Sequence, residues 1–363
     1  MDFQVSTSAL SGALAQVADI AIEKSSMPIL ACALLTAEQT PEGGRLTVSV
    51  YDLEIGMSTS HSCEIKKPGS IALPAKKLLE VIKALPSTVA HFKLGANNRM
   101  EITSGAATFR LAGQAPDDFP ALPEIGETEY MPTSFLQKAL AKVAFAMSHD
   151  ETRYSLNGVY LDLPAGKAVA TDGHRLCMAD LDTVDAPAVI LSKKAVLKLR
   201  KLLSGEGEVR GEFSVNEASL LYRRAGLRLV ARLIDGKFPD YTQVMPSHAN
   251  PPVKVNRTQL REALARVMLM AQDSASAVLL AFDGDTLTIS TRNPETGDAT
   301  DVVKTTAIEA ALKINLNGHY LVDMLNATDA KMVELYLGDD MSPVVVAPEN
   351  DKSHTYVLMP LRS

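Results

Sequence analysis

Tryptophan is missing from this 363-residue chain, and aromatic residues make up only 5% of it. Proteins that grip single-stranded nucleic acid stack its bases on aromatic faces, so that mode of binding is not expected. Cysteine is scarce as well. Cys32, Cys63 and Cys177 are odd in number and lack metal-ligand spacing, which argues against both a disulfide framework and a zinc site. No run of eighteen apolar residues occurs, so no membrane-spanning helix and no membrane partner are expected. The seven histidines include no metal-spaced pair, and there is no GxSxG elbow, HExxH helix, CxxC pair or P-loop. No cofactor or metal is expected. Met1-Asp2-Phe3 leads directly into a strand-like run rather than a basic, apolar leader, which makes a reducing cytoplasm the expected setting.

What is present is one pattern three times. Phe119-Pro120, Phe238-Pro239 and Met359-Pro360 place their prolines 119 and 121 residues apart. Tyr51-Asp52, Thr171-Asp172 and Arg292-Asn293 each end an apolar, strand-like run, at spacings of 120 and 121. Asn97, Asn216 and Asp339 sit in polar turns between strand-like runs, at spacings of 119 and 123. A period of this length is that of a domain, not of a solenoid repeat, so three tandem domains are predicted over 1–123, 124–251 and 252–363.

Each third has the same order of elements. Apolar residues at helical spacing predict first helices over 7–22, 133–147 and 257–271, with caps at Thr7 or Ser8, Thr133 and Asn256. Second helices are predicted over 75–85, 192–203 and 317–327, starting at Pro74, Ser192 and Asn317. The remainder is rich in β-branched residues broken by Gly, Asn, Asp and Pro, the pattern of antiparallel hairpins, with about six to eight strands per third. The fold class is α+β in triplicate.

Net charge is −7, which taken alone disfavours a polyanionic partner. Its distribution reverses that reading. Counted as Lys and Arg less Asp and Glu, the six helical windows together carry +10, leaving −17 on everything else. For any single helix, cations that solvate an exposed face explain this; across three domains the split suggests helices that face a polyanion and strands that face outward.

Several segments carry a family resemblance: MPIL (27–30), LPAKKLLEVIKALP (73–86), RYSLNG (153–158), VATDGHRL (169–176), DGKFPDY (235–241), LVDMLNA (321–327) and YVLMPLR (356–362). From Phe3 to Arg362 the chain resembles the bacterial sliding clamps, the β subunits of DNA polymerase III. The resemblance implies three clamp domains, each with two inner helices and outer antiparallel sheets, in a head-to-tail homodimeric ring. Such a ring encircles double-stranded DNA without reading its sequence, and serves as a non-catalytic processivity factor of the replicative polymerase. Topology holds the DNA, so weak phosphate contacts suffice and sliding remains possible.

Matched residue by residue, the resemblance implies DNA-facing cations at Lys24, Lys76, Lys83, Lys193 and Lys201, to which Lys194 and Arg266 are added here; two other DNA-facing positions of the family read Asp150 and Ser155. It implies a pocket for linear peptide motifs of the polymerase III α subunit, the clamp loader, other polymerases and mismatch-repair proteins. That pocket maps to Leu156, Thr171, Gly173, His174, Arg175, Leu176, Pro239, Val244, Val357, Leu358, Met359, Pro360, Leu361 and Arg362. Gln243 stands where the family usually has Arg, and Pro343 where it has Ser. Lys77, Phe109 and Leu111 of one subunit are implied to meet Leu269 and Met270 of the other.

The residues by themselves leave plainer readings open. Leu156 and Leu176 fit core positions, and Leu269 and Met270 fit a wider intramolecular core. Asp172 and His174 could pair as an acid–base couple in a three-domain α+β enzyme acting on a polar metabolite, although no nucleophile accompanies them. A monomeric scaffold that binds peptides and encloses nothing is a third reading. Without a nucleotide-binding loop a ring could not open itself with ATP, so a separate loader is implied.

Overall fold

The computed structural model describes residues 1–123, 131–204, 211–245, 251–271, 276–295 and 297–361. The chain divides into two compact units, Met1–Thr133 with Val209–Leu233, and Ser134–Glu208 with Ile234–Ser363.

The first unit has two antiparallel sheets. One runs in the order Glu64–Lys67, Asp2–Ser6, Val89–Leu94, Arg99–Ser104, Ala107–Ala112. The other runs Glu212–Val215, Ser219–Arg224, Leu227–Ile234, Ile55–Ser62, Gly43–Tyr51, Cys32–Thr40, Gly69–Pro74. Here a strand from the middle third joins the first third: Leu227 pairs with Thr59 and Ala231 with Ile55. Shared backbone hydrogen bonds are why Val209–Leu233 groups with the first unit and not with the rest of its own repeat.

The second unit also has two antiparallel sheets. The larger runs Val253–Asn256, Met332–Tyr336, Val344–Pro348, His354–Leu358, Arg175–Asp180, Lys167–Thr171, Gly158–Asp162, Val189–Ser192. The smaller runs Gly297–Lys304, Thr286–Asn293, Ala277–Asp283, Leu312–Asn317. Pairing of Leu176 with Val357 joins the middle third to the last.

Six α-helices occur among the described residues, two in each third: α1 (Thr7–Val17), α2 (Ala75–Lys83), α3 (Ser134–Val143), α4 (Lys193–Leu203), α5 (Arg257–Val267) and α6 (Gly318–Asn326). They pack in pairs, α1 on α2, α3 on α4 and α5 on α6. Their buried stripes are those the periodicity predicts, such as Leu10, Ala13, Leu14 and Val17 on α1 and Leu260, Ala263, Leu264 and Val267 on α5. Ser192, Asn256 and Asn317 cap α4, α5 and α6 by accepting from the backbone N–H three residues on. Ser6, not Thr7 or Ser8, caps α1.

The first helix of each third is shorter than predicted. Beyond Val17, Val143 and Val267 the chain tightens into i,i+3 bonds: Ile20 N to Val17 O, Met147 N to Ala144 O, Leu269 N to Arg266 O. The apolar spacing runs on through such a turn, which is why it overestimates the α-helical length. None of the helices is long and apolar enough to cross a membrane among the described residues.

Five of the nine repeat markers use one local device. Asp52 Oδ1 accepts from the backbone N–H groups of Glu54 and Ile55, Asp172 Oδ1 from His174 and Arg175, and Asn293 Oδ1 from Glu295. A short polar side chain that satisfies backbone donors two and three residues ahead turns the chain sharply into the next strand. Asn216 and Asp339 do the same at their turns, accepting from Ser219 and Met341 respectively.

Candidate functional site

In the second unit, the turn after Thr171 forms one wall of an apolar cavity of ≈150 Å³. Leu156, Thr171, Gly173, Arg175, Leu176, Phe238, Pro239, Asp240, Tyr241, Val244, Val357 and Met359 line it. Beneath lies a buried cluster of Leu156, Val169, Leu176, Ile190, Phe238, Val345 and Val357. Tyr160 stacks on Phe238 at 4.8 Å between centroids, which stiffens the floor. The Tyr241 hydroxyl donates to Asp162 Oδ2 at 2.9 Å; burial and this bond push the phenol up to about 12.

Gly173 adopts φ +90°, a left-handed conformation that favours glycine, whereas the one atom a Cβ would crowd is the mobile tip of Arg153. Arg175 closes the same wall. Its side chain is 7% exposed, with Nε on Asp172 Oδ2 at 3.1 Å, Nη1 on Asp323 Oδ2 at 2.6 Å and Nη2 on the Phe145 carbonyl at 2.8 Å. Tyr320 lies under the guanidinium, 4.2 Å from its carbon. A buried cation with two carboxylates, a carbonyl and a ring is fully compensated, and it ties the turn to α6.

Nine of the anticipated residues meet in this cavity: Leu156, Thr171, Gly173, Arg175, Leu176, Pro239, Val244, Val357 and Met359. Four anticipated residues do not line it. Leu358 is fully buried, because strand alternation turns it to the face opposite Val357. His174 is exposed and its carbonyl accepts from Met359 N, Pro360 is half-buried, and Leu361 N donates to the Asn315 carbonyl. Arg362 lies outside the described residues. Phe238, Asp240 and Tyr241 line the cavity without having been assigned to it, although the DGKFPDY segment holds all three. Gln243 and Asp240 bond to each other at 2.9 Å on the rim, and Pro343 immediately precedes the strand Val344–Pro348.

The turn has no acid–base geometry. Both oxygens of Asp172 are taken by backbone N–H groups and by Arg175, so this carboxylate organises the turn and does not orient the His174 ring. A larger hollow of ≈610 Å³ in the first unit, with Gln4, Gln39, Ser62, Cys63 and Glu64 on its walls, contains none of the anticipated residues.

The anticipated cations lie on or beside the helices. In the first unit Lys24, Lys76 and Lys83 are exposed, and Lys76 Nζ sits 2.9 Å from Glu23. In the second, Lys193, Lys194 and Lys201 lie on α4, and Lys193 Nζ donates to His149 Nδ1 at 2.7 Å. Arg266 Nε pairs with Asp301 Oδ2 at 2.7 Å and thus carries its own counter-charge. Asp150 accepts from Thr152 and lies 3.7 Å from Arg153, and Ser155 is half-buried.

Of the anticipated contact surfaces, Phe109 and Leu111 are half-buried on Ala107–Ala112, the edge strand of a first-unit sheet, and the exposed Lys77 pairs with Glu80. Leu269 in the second unit is 70% exposed, beside a half-buried Met270.

Comparison with known proteins converges on one family. Models of the DNA polymerase III beta subunit match over their N-terminal domain at residues 1–123, central domain at 130–240 and C-terminal domain at 242–362. The beta sliding clamp of Pseudomonas aeruginosa is 31% identical over all of both chains. The crystal structure of the DNA polymerase III subunit beta from the same species superimposes with a TM-score of 0.94 at 29% identity, again over all of both chains. A sliding clamp from Bartonella birtlesii bound to griselimycin superimposes with a TM-score of 0.93 at 30% identity and the same coverage.

Proposed function

This chain belongs to the DNA polymerase III β subunits, the β sliding clamps, and from that membership we infer how its surfaces are used. It is a DNA sliding clamp built from three tandem clamp domains, a non-catalytic processivity subunit of DNA polymerase III. We place the domain boundaries at 1–123, 124–251 and 252–363. Two copies join head to tail into a ring around double-stranded DNA. The edge strand Ala107–Ala112 with Phe109, Leu111 and Lys77 meets Leu269 and Met270 of the second copy, because an open sheet edge and an exposed leucine both gain by being covered. Lys24, Lys76, Lys83, Lys193, Lys194, Lys201 and Arg266 face the phosphates, reading no sequence.

The cavity beside the Thr171 turn takes an apolar anchor from short linear motifs of the polymerase III α subunit, the clamp loader, other polymerases and mismatch-repair proteins. Met359, 40% exposed at its edge, is a flexible wall that can adapt to different anchors. Affinity for one peptide is on the order of micromolar, raised by avidity when a partner engages both sites of a ring. The protein works in the cytoplasm, where the chromosome is replicated.

The observation that carries this reading is the family match in each third of a chain whose three turns repeat one hydrogen-bond device. The test is retention on DNA. Once loaded, the protein should stay on a nicked circle and run off a linear fragment of the same length, and light scattering should give twice the monomer mass. Equal loss from both DNAs would overturn the ring.

A further inference from the structure

Two charged residues line the cavity, Arg175 and Asp240. They differ in how their charge is met. Arg175 is buried against Asp172 and Asp323, so its charge is already answered inside the protein. Asp240 is exposed at the rim and held by neutral groups: Oδ1 accepts from Thr242 N at 3.1 Å and Thr242 Oγ1 at 2.6 Å, and Oδ2 from Gln243 Nε2 at 2.9 Å. These bonds hold the carboxyl below its ordinary range, with Lys237 a weaker influence on it. Three neutral donors fix the direction of a carboxylate without cancelling its charge, and a fixed charge costs less to engage than a mobile one. Gln243, whose amide is turned to Asp240, adds no charge of its own.

We propose that Asp240 makes this site selective for linear peptides that carry a basic residue beside the apolar anchor, and that it disfavours those with an acidic residue there. This rests on the reading of the cavity as a peptide site. The effect is electrostatic at an open rim, so it is modest and weakens with salt.

Three octapeptides with the same Leu-Phe anchor and a Lys, Gln or Glu beside it separate the possibilities, with Kd measured by fluorescence polarisation on the full-length protein. At low salt the Lys peptide should bind about 3–10-fold more tightly than the Glu peptide, and high salt should shrink the gap. In Asp240→Asn, which keeps an acceptor for Thr242, the ratio should fall to about two or less, and Gln243→Arg should abolish or invert it. Equal affinity for the Lys and Glu peptides, or a preference that persists in both variants, would overturn the selectivity while leaving the pocket in place. If none of the three binds, the pocket reading fails and the selectivity fails with it.

Discussion

At the scale of one residue, His354 shows how burial becomes pH dependence. It is 2% exposed, and its Nδ1 accepts from Lys142 Nζ at 2.8 Å while Ser353 Oγ lies 3.2 Å away and Asp351 Oδ2 3.4 Å. Its Nε2 is buried with no hydrogen-bond partner among the described residues. Burial first, then the Lys142 charge, pull the imidazole down to about 4, against the partial opposition of Asp351 and Asp180. The unfolded chain therefore takes up this proton near pH 6.5 and the folded chain only near pH 4. Stability from the neutral ring is complete above pH 6.5 and is lost as the pH falls from there toward 4, by on the order of 3 kcal/mol. Urea midpoints from pH 7 to 4.5 should fall more steeply for the wild type than for His354→Gln. Parallel curves would show that the His354 ring does not set the acid sensitivity in this window, since carboxylates such as Asp351, held low chiefly by Ser353, give up their contribution only at lower pH.

Elements were more legible in the sequence than their partners. All six helices start within a residue or so of their predicted positions, since a cap and an apolar stripe are local signals. The chain from Val357 to Leu361 was less legible, because a contiguous motif ignores the alternation that sends Leu358 to the other face. The Arg175–Asp323 pair could not be read at all: the two lie 148 residues apart, and nothing at either position announces the other. Counting charge on helices likewise misses that Arg266 and Lys76 meet carboxylates.

Helix α4 carries three of the anticipated cations and is the element on which the DNA-facing role is best tested. It presents Lys193 and Lys201 eight residues apart on one stripe, with Lys194 beside them and Leu197 half exposed between. Reversing Lys193, Lys194 and Lys201 to Glu should weaken retention on DNA, strongly at low salt and little at high salt. The slope of log affinity against log salt should fall by about 0.9 for each phosphate that is no longer neutralised, or up to about 3 in all. A defect of equal size at every salt concentration would mean that α4 was damaged as a helix and does not act through phosphates.

At the scale of the molecule, a head-to-tail pair uses the same interface twice, so one substitution acts at two places in the ring. Leu269 is the residue to exploit, because it is 70% exposed within a single chain and its removal leaves no cavity behind. At the proposed interface, covering a leucine contributes about 1.5–3 kcal/mol, and Leu269→Asp would also bury a charge in each copy of it. The combined loss of at least about 3–6 kcal/mol corresponds to a dimer Kd raised by roughly 10²–10⁴-fold. Light scattering should then report monomer at concentrations where the wild type is dimeric, with retention on circular DNA lost. The apolar cavity lies elsewhere in the second unit, so the affinity of one chain for one peptide should not change, and only the gain from bivalent partners should disappear. A Leu269→Asp protein that remained dimeric would place the junction between copies on another surface, and one that lost peptide binding along with the dimer would mean that the cavity is completed by the second copy.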